Sequence, residues 1–471
     1  MTAGTAVAPV LRATPEQRRT LTLASLSTLL VLVTFVTPLA TGVRTTAALG
    51  AGPGAQAWLL SSMSVGLAAA LLTAGVLADD LGRRRVFTAG LVVLGLGAVL
   101  VSAAGSPGVF IAGRVLQGVG GAAVLACALG LIGAAFPPGP ARSRAAAVWG
   151  ASVGAGTGIG GLVTVALDHG QGWRTTYAVT AVLALALAVT ARLALAESAG
   201  RAAGRVDTGG ILLLAAGLSC VLAGLVQSRG GWGRLTVLVL LALGGVLLVA
   251  FVLVERHSAE PMIDLALFRI PGFLAATLGA FLTGVAVVGL SSYLPTVLQR
   301  GLGDTLLAST LLLALWSAVS TATALGVRRL PGLDGRVLLA IALAVCAVGL
   351  AAYAVLGPGA SGARLVPGLV VLGVGYGAAN AALGREAVAH VPPELAAMGS
   401  GANNTARYMG AAVGVTLVVL VVGAGAPAGA ADGLLAGWNA AALGGAAVSA
   451  AGALLVALIR PARVPAGGPS A

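Results

Sequence analysis

The residues best able to do chemistry stand inside long apolar runs, where a polar side chain is expensive. Arg114 opens the stretch RVLQGVGGAA, and Gln117, Gly118 and Gly121 follow at the three-, four- and seven-residue spacing of one helix face. Counted at about 1.5 Å per residue, Arg114 lies about 9 Å inside its run. A charge at a helix centre costs about 2.5 to 3.5 kcal/mol or more, so it should face a partner or a wet cavity, the alternative being that it reaches outward to the interface. A second group, GSGANNTARYMG from Gly399 to Gly410, sets Asn403 and Arg407 four residues apart. Polar groups so deep belong inside a bundle, as part of a cavity or as interhelical hydrogen bonds. Glu386, beside Arg385, is the deepest acid of the chain or else an interfacial one. At depth, a carboxylate can carry a proton.

The elements that must position these residues are membrane-spanning helices. Of 471 residues, 58% are hydrophobic and 9% charged, and the mean hydropathy is +1.02, outside the range of soluble domains. About 20 apolar residues cross a bilayer core. Runs of that kind lie near 21–43, 57–78, 86–105, 108–135, 145–166, 175–195, 208–227, 235–254, 273–293, 305–326, 337–357, 365–389, 399–425 and 434–458. Fourteen spans put both termini on one side. With the termini inside, eighteen of the 27 basic residues, all arginine, fall in inner segments, six in outer loops and three within spans. That bias fits a plasma-membrane protein with both ends cytoplasmic. The expected organisation is a cytoplasmic leader (1–20), a six-helix bundle (21–196), a linker with two extra helices (197–254), a cytoplasmic loop (255–272), a second six-helix bundle (273–458) and a disordered tail (459–471). GVRRLPGLDGR (Gly326–Arg336) follows span 10 much as GVLADDLGRRR (Gly75–Arg85) follows span 2, a faint internal repeat.

Other functions are excluded by what the spans contain. The net charge of +13 comes from arginines spread over many short loops, not from a patch that would hold nucleic acid. Cys127, Cys220 and Cys346 are far apart in apolar runs, so neither a metal nor another cofactor is expected. Gly150, Ser152 and Gly154 match GxSxG, and Gly156, Gly158 and Gly161 match GxGxxG, but both motifs need a soluble strand-to-helix setting. His169, His257 and His390 fall in loops or at span ends, and a chain without lysine has no Walker A sequence. An enzyme is therefore not expected, and the filter loops or charge rings of a channel are not visible. Gly150, Gly154 and Gly158, with Gly161, read instead as a helix-packing seam. Trp58, Trp149, Trp173, Trp232 and Trp438 lie near span ends, as an aromatic belt would, whereas Trp316 is mid-span and, with Phe35, Phe281 and Tyr376, is a candidate pocket lining.

Gly75, Leu77, Ala78, Asp79, Gly82, Arg83 and Arg84 resemble the signature loop between the second and third helices of major facilitator superfamily transporters. Asp79 stands where it can cap a helix or pair with an arginine, and Asp80 departs from the basic residue usual there. RVLQGVGGAA resembles the family's fourth-helix motif, which implies a part for Arg114 in proton or substrate coupling. WGASVGAGTGIGG (Trp149–Gly161) resembles its antiporter motif, with Thr157 in place of a proline. The stretches Glu255–Phe273, Tyr293–Gly303 and Gly399–Gly410 resemble the fourteen-helix drug:proton antiporters, where the last forms part of the cytoplasmic-side cavity. The resemblance implies an all-helical major facilitator fold of two six-helix bundles and two extra central helices. It also implies a monomeric exporter of small amphipathic or cationic compounds, moved by alternating access with protons as coupling ion. One departure stands out. The group's first-helix aspartate is missing from TFVTPLATGV (Thr34–Val43), so proton coupling, if present, is expected to be atypical, with Glu386 as titrating group and Arg114 modulating it.

Overall fold

The computed structural model describes residues 13–137, 140–167, 172–197, 208–228, 231–258, 265–327, 334–389, 391, 396–424 and 431–459. Asp168, His169, Asp207, His390, the first twelve residues and the tail beyond 459 lie outside them. The described residues contain no strand. Lipid offers backbone groups no hydrogen bonds, so each apolar run closes its own as a helix.

The helices are α1 (Pro15–Ala48), α2 (Pro53–Leu81), α3 (Arg83–Ser102), α4 (Pro107–Ala135), α5 (Pro140–Leu167), α6 (Trp173–Ala194), α7 (Thr208–Gln227) and α8 (Leu235–His257). They continue as α9 (Pro271–Gly301), α10 (Leu306–Gly326), α11 (Gly335–Ala351), α12 (Val366–Ala389), α13 (Ala396–Ala424) and α14 (Ala431–Leu458). Thirteen are long and apolar enough to span, and α11 is a shorter apolar helix. The fourteen segments match the fourteen runs. α9 holds one irregularity that the sequence did not announce, a π turn at Gly284–Val288.

The first and last six helices form two bundles, one core gathered around Phe87, Leu91 and Leu125 and reaching Tyr408 and Ala412 of α13, the other around Leu290, Tyr353 and Trp438. α4 sits at the centre of the first, because its glycines let three neighbours come close. A Cβ on Gly118 would meet Met63 O of α2 at 2.3 Å, and one on Gly120 would meet Leu94 N of α3 at 2.4 Å. Gly121 faces Val31 of α1. Gly118 and Gly121 thus serve as packing seats for different helices rather than as one surface with Arg114. The bundles meet along two seams, α5 on α10 and α2 on α13, and α7 lies against α2 and α13 with α8 outside it. Trp58 donates to Gln227 Oε1 at 3.2 Å, tying α2 to α7.

Two expectations are corrected. The stretch Gly75–Arg85 is not a loop: α2 runs to Leu81, α3 starts at Arg83, and Gly82 alone makes the turn, at φ 98°. A helix can reverse on one residue only where left-handed φ is free of Cβ strain. Nor do the tryptophans form a belt. Trp438 is fully buried and stacks on Tyr353 at 6.0 Å, and Trp173 is buried in a cluster with Phe110 and Tyr177. Trp149 donates to Thr28 Oγ1 at 2.9 Å, so of the five only Trp232 is largely exposed. The indole N–H groups of Trp58, Trp149 and Trp438 find acceptors in Gln227, Thr28 and Tyr353 inside the protein rather than in lipid headgroups.

Candidate functional site

Arg114 is completely buried, so it does not reach outward. Its guanidinium donates to Thr34 O at 2.8 Å, to Phe35 O at 3.3 Å and to Gln117 Oε1 at 2.9 Å. The first of these acceptors exists because of Pro38, which stands inside α1. Proline has no N–H, so the carbonyl four residues earlier, that of Thr34, is left without its helical donor. Arg114 fills that vacancy from α4. A charge-assisted hydrogen bond contributes about 1.5 to 3 kcal/mol, so two or three of them offset the cost of burial. The face of Tyr177 covers the guanidinium at 5.9 Å, yet Arg114 Nε and Gln117 Nε2 have no partner among the described residues.

The second group lies on α13. Arg407 donates to Asn380 Oδ1 of α12 at 2.9 Å and to Asn404 Oδ1, and its guanidinium lies 5.4 Å from the Tyr408 ring. Asn403, buried, donates to Ala276 O of α9 at 3.1 Å, so it makes an interhelical bond. Here α9 and α13 touch backbone to backbone. A Cβ on Gly284 would meet Arg407 O at 2.1 Å, and one on Gly410 would meet Phe281 O at 2.0 Å. The π turn of α9 starts at Gly284, beside Arg407. Tyr408 packs edge-on against Phe35 at 5.8 Å, so a ring of each bundle meets there, and each belongs to a residue that one of the arginines touches. Glu386 is placed elsewhere, in the last turn of α12, 3.7 Å from Arg385 and against Gly335 at the start of α11.

The signature stretch joins helix ends. Asp79 pairs with Arg83 at 3.0 Å across the Gly82 turn, and Arg83 also donates to Gly130 O of α4 at 3.0 Å. Gly75 is buried within α2, and Asp80 is half-buried in its last turn. Arg84 is held by Glu197, which accepts from its backbone N–H at 3.1 Å and from Nε at 3.3 Å, and Arg85 approaches the same carboxylate at 3.5 Å. Glu197 is not among the residues that the sequence singles out. Its signal was an acid just beyond span 6, on the side of the triple arginine. Such half-exposed pairs contribute about 0.2 to 1 kcal/mol each.

Between the bundles, α5 is a blade of glycine with two faces. Gly156 and Gly160 lie against Leu29 and Val33 of α1, whereas Gly154, Gly158 and Gly161 lie against Thr321, Ser317 and Thr310 of α10. Gly150 is one turn before Gly154 on the same helix. Thr157, in the place of the family's proline, leaves α5 unbroken. Its hydroxyl donates to Gly154 O at 2.8 Å and meets Ser317 Oγ at 3.0 Å, while Ser317 donates to the same carbonyl. Beside this seam lies a narrow crevice of about 20 Å³ between α1, α5, α9 and α10, lined by Leu39, Thr157, Gln299, Ser309 and Thr310 among others. A second, of about 10 Å³, lies between α1, α2, α9 and α13 and includes Phe35, Ser61, Ser64 and Ser292. Of the sequence candidates for pocket lining, Phe35 reaches a crevice, whereas Trp316 and Tyr376 pair with each other at 5.1 Å.

Two bundles facing each other across narrow, mostly apolar crevices, with buried arginines and paired arginines at the helix ends, are the architecture of a membrane transporter. A sequence model of the Major Facilitator Superfamily matches residues 20–415, and the chain belongs to that superfamily. It is 32% identical to the puromycin resistance protein pur8 of Streptomyces alboniger, over 79% of this chain and 75% of that one. It is 31% identical to the cephamycin export protein CmcT of Amycolatopsis lactamdurans, over 80% of this chain and 79% of that one. Among solved structures, a POT family transporter in complex with 5-aminolevulinic acid superimposes with a TM-score of 0.69, over 93% of this chain and 95% of that one, at 12% identity, a likeness of fold. The chain is thus a multi-span membrane transporter and not an enzyme.

Two outcomes are expected from this geometry. Pro38→Ala returns an N–H to Thr34 O, and Arg114→Lys keeps the charge but cannot fork across adjacent carbonyls. Each should lower transport at least about tenfold in membrane vesicles at unchanged expression, since displacing one charge-assisted bond is worth about that factor. Asp79→Asn should leave membrane insertion intact, judged by immunoblot, while transport falls several-fold. Wild-type rates in that variant would reduce the Asp79–Arg83 pair to a topological feature.

Proposed function

We propose that the chain is a secondary active exporter of small amphipathic compounds, working by alternating access and coupled to protons. The observation that carries this reading is the pair of seams. Among the described residues, α5 on α10 and α2 on α13 join the bundles through glycine contacts and hydroxyls. Interhelical hydrogen bonds in membranes average about 0.6 kcal/mol, and losing one shifts a two-state ratio by about threefold. Seams of this kind can close firmly by packing and still part. The names of the relatives, a resistance protein and an export protein, agree with outward movement of compounds. Each monomer has both bundles and so a complete path.

The orientation rests on arginine. The end that holds Arg83, Arg84 and Arg142 is taken as cytoplasmic, with both termini there, in the plasma membrane. In a cysteine-free background, single cysteines at Gly139 and Gly231 should react with an impermeant maleimide from opposite sides, Gly139 from the cytoplasm. Labelling of both from outside would end the fourteen-span topology.

Proton coupling is assigned to Glu386, which lies six residues, about 9 Å along the helix, from Asn380, the partner of Arg407. Arg114 modulates it from the other bundle. A second reading, an uncoupled facilitator, is favoured by the positions of the acids, since those in described helices lie in first or last turns. In proteoliposomes an imposed pH gradient should drive substrate uphill for the wild type and not for Glu386→Gln. Uphill transport by that variant removes Glu386 from the mechanism, and a wild type indifferent to the gradient is the uncoupled facilitator.

A further inference from the structure

The two extra helices belong to neither bundle, yet they pack as a unit and are seated on both. Within the pair the backbones are close: a Cβ on Gly244 of α8 would meet Val221 N of α7 at 2.9 Å, and one on Gly217 of α7 would meet Leu248 Cδ2 of α8 at 2.9 Å. Small residues at such a contact let two helices in lipid hold together as one body. α7 lies against α2 of the first bundle and α13 of the second, so it covers one of the two seams along which the bundles meet.

The cover differs along its length. Toward the arginine-rich end, one apolar cluster takes in Leu72 of α2, Leu214 and Leu218 of α7, Phe251 of α8 and Ala402 of α13. It extends to Leu267, in the short 3₁₀ segment Leu265–Arg269, and to Phe273 in the first turn of α9, where Phe268 meets Phe273 edge-on at 5.3 Å. Toward the other end, the Trp58 indole of α2 donates to Gln227 Oε1 of α7 at 3.2 Å.

A swing of one bundle against the other at the arginine-rich end must divide this cluster, because its side chains come from both bundles and from the pair between them. Where it divides depends on which side holds the pair more firmly. Packing against α2 and the Trp58–Gln227 hydrogen bond hold it to the first bundle, whereas the second offers it the apolar side chains of Ala402, Leu267 and Phe273. Leu267 stands between α8 and α9, outside the spanning helices. Parting there exposes apolar groups to water, which costs the full hydrophobic term, whereas parting within lipid costs only packing. This end of the seam is therefore the costly one to open.

Resting on the alternating access proposed above, we propose that α7 and α8 are a latch carried by the first bundle. In the conformation seen here they hold the arginine-rich end of the α2–α13 seam shut, docking Leu214, Leu218 and Phe251 on Ala402, Leu267 and Phe273 of the second bundle. Opening of that end undocks this face, and residues 265–273 leave with α9.

The test uses the full chain in a cysteine-free background with one reporter at each end. Gly401→Cys lies in the second turn of α13, where a Cβ would have only ordinary contact, 3.5 Å from Leu72 Cα. Ser309→Cys lies in the first turn of α10, at the opposite end. An impermeant maleimide labels the first in everted vesicles and the second in right-side-out vesicles. Phe251→Ala and Leu267→Ala cut the latch from its two sides. Each should speed labelling of Gly401→Cys about tenfold, the weight of one buried apolar side chain on a two-state ratio, and slow labelling of Ser309→Cys. If Phe251→Ala does not insert, Phe251→Leu makes the same comparison with Leu267→Ala. A Gly401→Cys rate that neither truncation changes overturns the latch. A rise at both reporters, or at Gly401→Cys alone, is local loosening and overturns it as well. Reporters that stay inert in every background count against alternating access itself, and with it against the latch.

Discussion

The structure depends on helices whose backbones touch. In lipid the apolar faces of two helices gain little by leaving the solvent, since hydrocarbon is already around them, so association rests on close packing and on hydrogen bonds between helices. Glycine makes that closeness available. Gly118 and Gly120 let α2 and α3 press on α4, Gly284 and Gly410 let α9 and α13 meet, and the two glycine faces of α5 hold α1 on one side and α10 on the other. Remove that closeness and Arg114 would no longer reach the carbonyls of α1. The functional groups are positioned by small residues that have no chemistry of their own.

Charge is placed by the same economy. Pro38 withholds a donor from Thr34 O, and Arg114 provides one from another helix, so a cost in α1 and a cost in α4 offset each other. The pairing also ties α4 to α1 next to Phe35, whose ring meets Tyr408 beside Arg407. A motion of one bundle therefore reaches the arginine of the other through contacts of a few ångströms. At the arginine-rich end, Arg83 and Arg84 are each held by a carboxylate and a carbonyl. These links are individually weak and tie α3 to the ends of α2 and α6 and to α4 within the first bundle.

Much of the site was legible because polarity is rare in this chain. Arg114, Asn403 and Arg407 stood out in apolar runs, and each turns out to bond across helices. The glycines of α5 were legible as a seam, though not which face met which neighbour. Glu197 was passed over because its partner, Arg84, is 113 positions away, and nothing local marks the pairing. Trp438 was read as interfacial from its place near a helix end, whereas Tyr353, 85 positions away, accepts its N–H in the core.

By itself the sequence determined that the chain crosses a membrane and how many times, because run length against bilayer thickness and the need to satisfy every backbone group leave no other solution. It also determined which end of the bundle gathers arginine. Only the tertiary structure decided which face of each helix points inward. In a soluble helix the inward face is the apolar one, but here lipid and core are both apolar, so hydropathy carries no period to read. The single-residue turn at Gly82, the π turn at Gly284, the carbonyls that hold Arg114 and the uncharged crevice around Gln299 all follow from how faces dock, and docking is fixed by shape across helices distant in sequence.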